Sequence, residues 1–141
     1  MKKADPNNGK RILVIEDDPF LADIYETKLK QSGYEAEFAT TGEDGLSLLA
    51  EKKYDVLLLD IVLPKIDGWE VLVKIKSDRE TGANPNLNNL KIIILSNLGQ
   101  KEEIKKGLDL GADGFMIKAH FTPSQVVEEI KQTLDNKTPT I

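Results

Sequence analysis

Acidic side chains follow two apolar segments of the chain, at the point where each segment ends. Glu16 and Asp17 come directly after residues 11–15, and Asp60 comes directly after residues 55–59. A lone Asp in such a position most often caps a loop, but a buried carboxylate requires a partner or a metal. Because two acidic groups recur in the same setting, we expect them to form one cation site of hard oxygen ligands, which suits Mg²⁺.

Two more polar side chains end apolar segments later in the chain. Ser96 closes residues 91–96, and Lys118 closes residues 114–118. A hydroxyl donor and an ammonium group are both suited to holding phosphate oxygens. A carboxylate beside Mg²⁺ and facing these groups could attack phosphorus and form an acyl phosphate. Taken singly, Ser96 could be a turn residue, Lys118 a surface charge and Asp17 a helix-start acid; together, the polar strand ends favour phosphoryl chemistry.

The elements that must position these side chains alternate between strand and helix. The hydrophobic pattern predicts strands at 11–15, 35–40, 55–59, 91–96 and 114–118. Helix-start signals lie between the strands and after the last one, so five helices are expected. Such alternation predicts an α/β fold: a doubly wound, five-stranded parallel sheet of flavodoxin-like type, with helices on both faces. Its common strand order, 2-1-3-4-5, places ligands at the carboxyl edge.

Local signals define several helices in more detail. Asp18 and Pro19 predict the start of the first helix, whose apolar stripe is read as Leu21, Ile24, Tyr25 and Leu29. Thr41 and Asp67 are expected to cap the second and third helices, and Thr122 with Gln125 predicts a capping box for the last one. Trp69 is expected to be half-buried packing. Residues 78–90 contain Gly, Pro and Asn and are predicted to form a long loop.

Size and charge restrict the classes of function. The chain has 141 residues, 40% hydrophobic and 30% charged, and a net charge of −5. Such composition predicts one globular domain and argues against direct nucleic-acid binding, which basic patches drive. No signal peptide and no membrane-spanning run are recognisable, and the absence of cysteine suits the cytoplasm. We expect a flexible leader at 1–10, a domain at 11–136 and a flexible tail at 137–141.

The motifs resemble those of one known family. Residues 12–19, Leu59-Asp60 with Pro64 and Asp67-Gly68, Ser96, and residues 111–115 with Lys118 look like the receiver domain of two-component response regulators. The resemblance extends over residues 11 to about 135 and is nearest the single-domain, chemotaxis-regulator-like type. It implies that Asp60 accepts a phosphoryl group from a histidine kinase or a histidine phosphotransfer protein.

The resemblance also implies roles for the surrounding residues. Mg²⁺ would be bound by Asp17, by Asp60 and by the backbone carbonyl of Val62, with Glu16 acting through a water molecule. The residues expected to hold the phosphoryl oxygens are Ser96 and Lys118, and those expected to switch on activation are Ser96 and Phe115. The chain would then be a phosphoacceptor rather than an enzyme with a separate substrate, catalysing only its own phosphorylation and slow dephosphorylation.

Signalling is expected to proceed by a population shift between two packings. The shifting surface would comprise the fourth helix, the fifth strand and the fifth helix. Such a surface could dock an unknown downstream protein or pair two copies of the chain as a homodimer. Because residues 11–136 fill almost the whole sequence, we expect a stand-alone regulator that contacts neither nucleic acid nor membrane.

Three positions depart from the family pattern or invite another interpretation. Ala119 follows Lys118 where proline is usual, so we expect a trans peptide bond there. Asn97 follows Ser96 where a small residue is common, and its bulk could change phosphorylation kinetics. His120, the single histidine, is expected to be an ordinary surface residue.

Two other functions remain open at this point. A Mg²⁺-dependent phosphatase with an aspartyl nucleophile would share the acyl-phosphate step, although such enzymes usually place a second acid where Val62 stands. A phosphorylation-independent interaction module could use the same fold. Turnover of small phosphomonoesters would support the phosphatase, and failure to bind Mg²⁺ would support the interaction module.

Overall fold

The computed structural model describes residues 9–135. The strands are β1 Arg11–Ile15, β2 Glu35–Ala39, β3 Val56–Leu59, β4 Lys91–Ser96 and β5 Gly114–Ile117. The α-helices are α1 Pro19–Gln31, α2 Gly42–Glu51, α3 Gly68–Thr81, α4 Lys101–Asp109 and α5 Pro123–Leu134. Two 3-10 helices lie at Pro85–Leu87 and Lys118–His120. Residues 1–8 of the predicted leader and the whole predicted tail are outside the described residues.

The five strands form one parallel sheet in the order β2-β1-β3-β4-β5, which confirms the predicted fold and strand order. Ile15 pairs with Leu59 at the carboxyl ends of β1 and β3. The backbone N–H of Asp60 then donates to the carbonyl of Ile15 at 3.0 Å. The residues that follow β1 and β3 therefore start from neighbouring points of the same sheet edge.

Each face of the sheet packs against its own helices, because successive strand residues point to opposite sides. Leu13, Ile15, Leu57 and Leu59 lie in a core with apolar residues of α2 and α3, and Ile104 of α4 packs against it. Ile12, Val14 and Leu58 lie in a second core with apolar residues of α1 and α5. In the central strands β1 and β3 these two cores bury every residue from Ile12 to Ile15 and from Val56 to Leu59, so polar side chains there lie at the strand ends.

Helix starts agree with the capping signals in the sequence. The Asp18 carboxylate accepts from the backbone N–H groups of Phe20 and Leu21, and Asp67 caps α3 by accepting from Glu70. Thr122 and Gln125 form the predicted capping box of α5. At α2 the Thr41 hydroxyl accepts from the backbone N–H of Asp44. These caps determine where α1, α2, α3 and α5 begin, directly after the loops that carry the polar side chains.

The predicted buried stripe of α1 was wrong at one position. Ile24 is 43% exposed, and Ala22 is buried in the stripe with Tyr25 and Leu29. Spacing alone allowed either set, and the rotation of the helix on the sheet selects the one that contains alanine.

The predicted loop at 78–90 was wrong over its first residues. Helix α3 continues to Thr81, and Gly82 ends it with a φ of 73° in the left-handed region, where glycine is favoured. Two ion pairs at i,i+4 spacing, Lys74–Asp78 and Lys76–Glu80, lie on this last part of the helix. Three strand boundaries differ from the prediction by one residue: β2 ends at 39, β3 begins at 56 and β5 ends at 117.

Two further predictions concern the peptide bond after Lys118 and the absence of a membrane-spanning run. No peptide bond among residues 9–135 is cis, so the bond between Lys118 and Ala119 is trans as predicted. Among the helices of that same range, none combines the length and the apolar character required to cross a bilayer.

Candidate functional site

Three carboxylates meet at the carboxyl edge of the sheet. Glu16 and Asp17 follow β1, and Asp60 follows β3, so the pairing of these strands brings the three together. One carboxylate oxygen from each lies within 4.8 Å of the others. Glu16 and Asp60 are buried, with exposures of 2% and 6%, whereas Asp17 is exposed. The cluster therefore opens to solvent on the Asp17 side.

Lys118 supplies the positive charge within this cluster. Its ammonium group donates to Asp60 Oδ2 at 3.0 Å and to Glu16 Oε1. The residue follows β5, so its side chain spans the width of β4 to reach β3 and β1. Burial lowers the pKa of Lys118, but the hydrogen bonds to Glu16 and Asp60 and their charges outweigh burial and raise the pKa overall. The ammonium form therefore persists at neutral pH.

The second oxygen of each buried carboxylate also has a donor. Asp60 Oδ1 accepts from the backbone N–H of Val62 at 3.2 Å, and Glu16 Oε2 accepts from the backbone N–H of Asp18 at 3.2 Å. Both carboxylates are therefore held in one orientation. Val62, whose carbonyl was predicted as a ligand, stands beside Asp60 with its side chain exposed.

The donor set suits a divalent cation. Burial, followed by the hydrogen bond and the charge of Glu16, raises the pKa of Asp17 above its ordinary value. Three carboxylates face one ammonium in this cluster, so an added cation would relieve their repulsion. Clustered carboxylate oxygens with a solvent-facing side are the ligands that Mg²⁺ prefers. The residues present therefore fit the predicted metal.

The two predicted switch residues lie on the same face of the sheet. Ser96 ends β4 and Phe115 lies in β5, where it pairs with Ile94. Both side chains are buried, and Phe115 belongs to the core beneath α3 and α4. The Ser96 hydroxyl accepts from the backbone N–H of Leu98 at 3.2 Å. Ser96 is thus engaged with its own loop in this structure.

Gly68 is also a site residue, although the sequence indicated it only as part of the Asp67-Gly68 motif. A Cβ at this position would lie 2.5 Å from the carbonyl oxygen of Asp60 and 2.6 Å from Cα of Ile61. The Gly68 N–H also donates to the Ile61 carbonyl at 2.8 Å. The first turn of α3 is therefore seated directly on the peptide of Asp60. The Asp-Gly pair that precedes α3 was the available signal for this approach.

Tyr25 also contributes to the site, although no sequence signal pointed to it. The buried ring lines a small void beneath the site together with Glu16, Asp60 and Lys118. Burial raises the pKa of the Tyr25 phenol above its ordinary value. Its position in the apolar stripe of α1 predicted only core packing, which the ring also provides.

Comparison with known proteins identifies the family to which this site belongs. The model of the response regulator receiver domain matches residues 12–131, which include all the predicted site residues. The chain belongs to the response regulator receiver family. Receiver domains bind Mg²⁺ through acidic residues, and this chain has such a cluster in Glu16, Asp17 and Asp60. The sequence-based identification as a receiver domain is confirmed.

Solved structures agree with this assignment. The CheY-like response regulator receiver domain protein from Methanospirillum hungatei JF-1 has a TM-score of 0.76 and 31% identity, over 90% of this chain and 94% of that one. The receiver domain of the Francisella response regulator 1452 has a TM-score of 0.77 and 28% identity, over 91% of this chain and 98% of that one. The receiver fold thus accounts for nearly all of each chain.

Curated relatives share the receiver but are longer proteins. The DNA-binding dual master transcriptional regulator RpaA of Synechocystis sp. is 34% identical over 124 residues, 88% of this chain and 48% of the relative. The alkaline phosphatase synthesis transcriptional regulatory protein PhoP of Bacillus subtilis is 34% identical over 128 residues, 89% of this chain and 49% of the relative. The chain spans about half the length of these relatives.

Proposed function

We propose that this receiver accepts a phosphoryl group on Asp60 from a histidine kinase or a histidine phosphotransfer protein. The observation that carries the proposal is the setting of Asp60. Its carboxylate is buried at the sheet edge, is oriented by the N–H of Val62 and the ammonium of Lys118, and lies within 4.8 Å of two other carboxylates. An aspartate that only caps a loop does not require burial beside an ammonium and two other carboxylates. A cytoplasmic location is proposed with this kinase-dependent role.

In the proposed reaction, one carboxylate oxygen of Asp60 forms a bond to the phosphorus of a phosphohistidine. The phosphorus–nitrogen bond breaks, and its electron pair passes to the imidazole of the donor, which takes up a proton. Lys118 remains beside Asp60 and offers its ammonium to a phosphoryl oxygen. The product is an acyl phosphate on Asp60.

Mg²⁺ would be held by Asp17, Asp60 and the Val62 carbonyl, with Glu16 acting through a water molecule. When bound, it supplies positive charge that offsets the carboxylates and the phosphoryl oxygens. Glu16 meanwhile accepts from Lys118 and from the N–H of Asp18, so it holds the lysine side chain within the cluster. This arrangement keeps Lys118 next to Asp60 in the protein without phosphate.

The phosphoryl group adds a charge of about −1.5 to −2 and strong hydrogen-bond acceptors at Asp60. The Ser96 hydroxyl accepts from the N–H of Leu98, so its own O–H remains able to donate to the phosphoryl group when the side chain moves toward Asp60. The space vacated on that face of the sheet can then be taken by Phe115. A shift of the surface formed by α4, β5 and α5 follows, and a downstream protein or a second copy of the chain would read that surface.

The proposal excludes an enzymatic role on separate substrates. No acid stands two residues after Asp60, where an aspartyl phosphatase usually has one, because Val62 occupies that position. The chain would therefore catalyse only its own phosphorylation and its slow dephosphorylation. The stand-alone arrangement stays a prediction, since the curated relatives are about twice as long as the segment that they share with this chain.

Intact mass after incubation with acetyl phosphate and Mg²⁺ tests the phosphoacceptor proposal. Wild type is compared with Asp60→Asn and with Asp18→Asn, which removes a neighbouring acid but retains a good helix cap. We expect one added phosphoryl group in wild type and in Asp18→Asn, none in Asp60→Asn, and none with EDTA present.

Two outcomes, one of the mass measurement and one of a separate phosphatase assay, would overturn the proposal. A folded wild-type protein that gains no phosphoryl group from acetyl phosphate or from a purified histidine kinase would favour the interaction module. Rapid release of phosphate from small phosphomonoesters would instead favour the phosphatase.

A further inference from the structure

A contact between α3 and α4 lies outside the phosphorylation site. The ammonium nitrogen of Lys106 in α4 lies 4.4 Å from the ring centroid of Trp69 in the first turn of α3. A cation at this distance from an indole face is attracted by the ring quadrupole. The contact joins two helices on the same face of the sheet.

Helix α4 is held to the rest of the protein by few interactions. Gly107 is its one buried residue, and Ile104 and Leu108 are only half-buried. Its N-cap residue, Gln100, forms no side-chain hydrogen bond with the helix start. The other residues of the helix are charged and face solvent or lie partly exposed. In a helix with so few buried side chains, one additional contact such as that of Lys106 can influence the position of the helix.

The Trp69 end of the contact is tied to the phosphorylation site. Trp69 follows Gly68, whose N–H donates to the carbonyl of Ile61 and where a Cβ would lie 2.5 Å from the carbonyl oxygen of Asp60. No side chain could be inserted at position 68 without moving these backbone atoms. The start of α3 therefore keeps its place relative to Asp60.

The Lys106 end of the contact is tied to the predicted switch residue. Gly107 is the next residue, and it packs on the core: a Cβ there would lie 2.6 Å from Cδ1 of Ile94 and 3.2 Å from Cδ2 of Phe115. Because packing is this close, a change in the position of the Phe115 ring changes the space available to α4. Displacement of α4 would carry Lys106 with it.

We propose that the Trp69–Lys106 contact stabilises the unphosphorylated position of α4 and is altered when Asp60 is phosphorylated. The inference rests on the proposed function, because it requires phosphorylation to reach Phe115. One end of the contact is fixed to the peptide of Asp60, and the other moves with the helix above Phe115. The contact therefore biases the equilibrium between the two packings toward the unphosphorylated one. For an exposed cation and indole, the bias is about twofold to fivefold in population.

The test uses the intrinsic fluorescence of the whole chain. Trp69 is the single tryptophan of the sequence, so all tryptophan emission comes from the ring that Lys106 contacts. Emission is recorded before and after addition of acetyl phosphate and Mg²⁺, while intact mass measures phosphorylation in the same sample. Mg²⁺ without acetyl phosphate and the Asp60→Asn variant give the signal that is independent of phosphorylation.

Lys106→Met is the decisive variant and Lys105→Met is its matched control. Both remove one exposed ammonium from α4, but Lys105 pairs with Asp109 at 2.7 Å and does not contact the ring. We expect wild type and Lys105→Met to change emission on phosphorylation. Lys106→Met is expected to start from a different emission, to lose at least half of that change, and to be phosphorylated about twofold to fivefold faster.

The readouts separate the two proposals. A phosphorylated wild-type protein with unchanged Trp69 emission would overturn the role of the contact and leave the phosphoacceptor assignment intact. Equal emission changes and equal phosphorylation rates in Lys106→Met and Lys105→Met would do the same. Absence of a phosphoryl adduct in folded wild type would overturn the phosphoacceptor assignment. It would also overturn the proposed role of the Trp69–Lys106 contact, which depends on that assignment.

Discussion

Asp17 differs from the other two carboxylates of the cluster because it is exposed and carries no ammonium partner of its own. Glu16 and Asp60 share the ammonium of Lys118, whereas the pKa of Asp17 is raised by partial desolvation of its carboxylate at the edge of the cluster and by Glu16. A raised pKa means that the folded protein binds this proton more tightly than the unfolded chain does. The ionised form of Asp17 therefore lowers stability once the pH exceeds its folded pKa.

Asp17→Asn is expected to have opposite effects with and without the metal. Without Mg²⁺ at neutral pH, loss of the repelling charge should raise the midpoint of thermal unfolding by about 1–3 °C. With Mg²⁺, the variant should gain less stability than wild type, because a carboxylate ligand is missing. Thermal unfolding with and without MgCl₂ measures both effects.

The pH dependence follows from the same raised pKa. Protons compete with the metal for Asp17, so the stabilisation of wild type by Mg²⁺ should decline as the solution is made acidic. Because the pKa of Asp17 is raised, the decline should begin at a higher pH than it would for an aspartate of ordinary pKa. Asp18→Asn serves as the control and should retain the full Mg²⁺ effect. Unchanged Mg²⁺ stabilisation in Asp17→Asn would contradict its assignment as a ligand.

At the scale of elements, the close packing of the start of α3 against the residue that follows β3 holds Asp60 in position. The peptide of Asp60 and the first residue of α3 touch, and only glycine leaves room for this approach. The loop between them carries Val62, whose N–H orients Asp60. A change at Gly68 should therefore disturb both stability and the site.

Gly68→Ala is expected to lower the free energy of unfolding by about 1–3 kcal/mol. Alanine favours helix formation by up to about 1 kcal/mol, but the two nearest atoms that its Cβ would meet belong to the backbone and cannot rotate away. Urea unfolding measures the loss. Ser77→Ala, an exposed substitution in the same helix, should change stability by less than about 0.5 kcal/mol. Equal stability of Gly68→Ala and wild type would show that the close approach does not matter.

At the scale of the whole molecule, charge argues against the activity that one relative's name describes. RpaA of Synechocystis sp. is described as DNA-binding, yet this chain matches only 48% of it. The chain carries 24 acidic and 19 basic residues. A net negative protein gains little from the counterion release that drives binding to DNA phosphates.

We therefore expect the 141-residue chain to show no binding to duplex DNA at about 0.1 M salt, with or without phosphorylation. Fluorescence anisotropy of a labelled duplex measures this, with a basic protein of similar size as positive control. Binding that weakens as salt increases would reveal a phosphate-contacting surface and would contradict the prediction.

The sequence by itself determined the topology and the composition of the site. Alternating apolar runs and helix caps predicted the strand order 2-1-3-4-5, because parallel strands joined by helices have few ways to assemble. Polar residues at the strand ends then had to meet at one edge. Asp18, Asp67 and Thr122 cap their helices as predicted, since capping depends on neighbouring residues only.

Only the tertiary structure decided the contacts between residues far apart in the chain. The rotation of α1 on the sheet buries Ala22 and exposes Ile24, and spacing alone could not distinguish the two. Lys118 reaches Glu16 across 102 positions of sequence, and Lys106 reaches the ring of Trp69 through the packing of α4. Such contacts depend on how whole elements are placed against one another, and local sequence patterns carry no information about that placement.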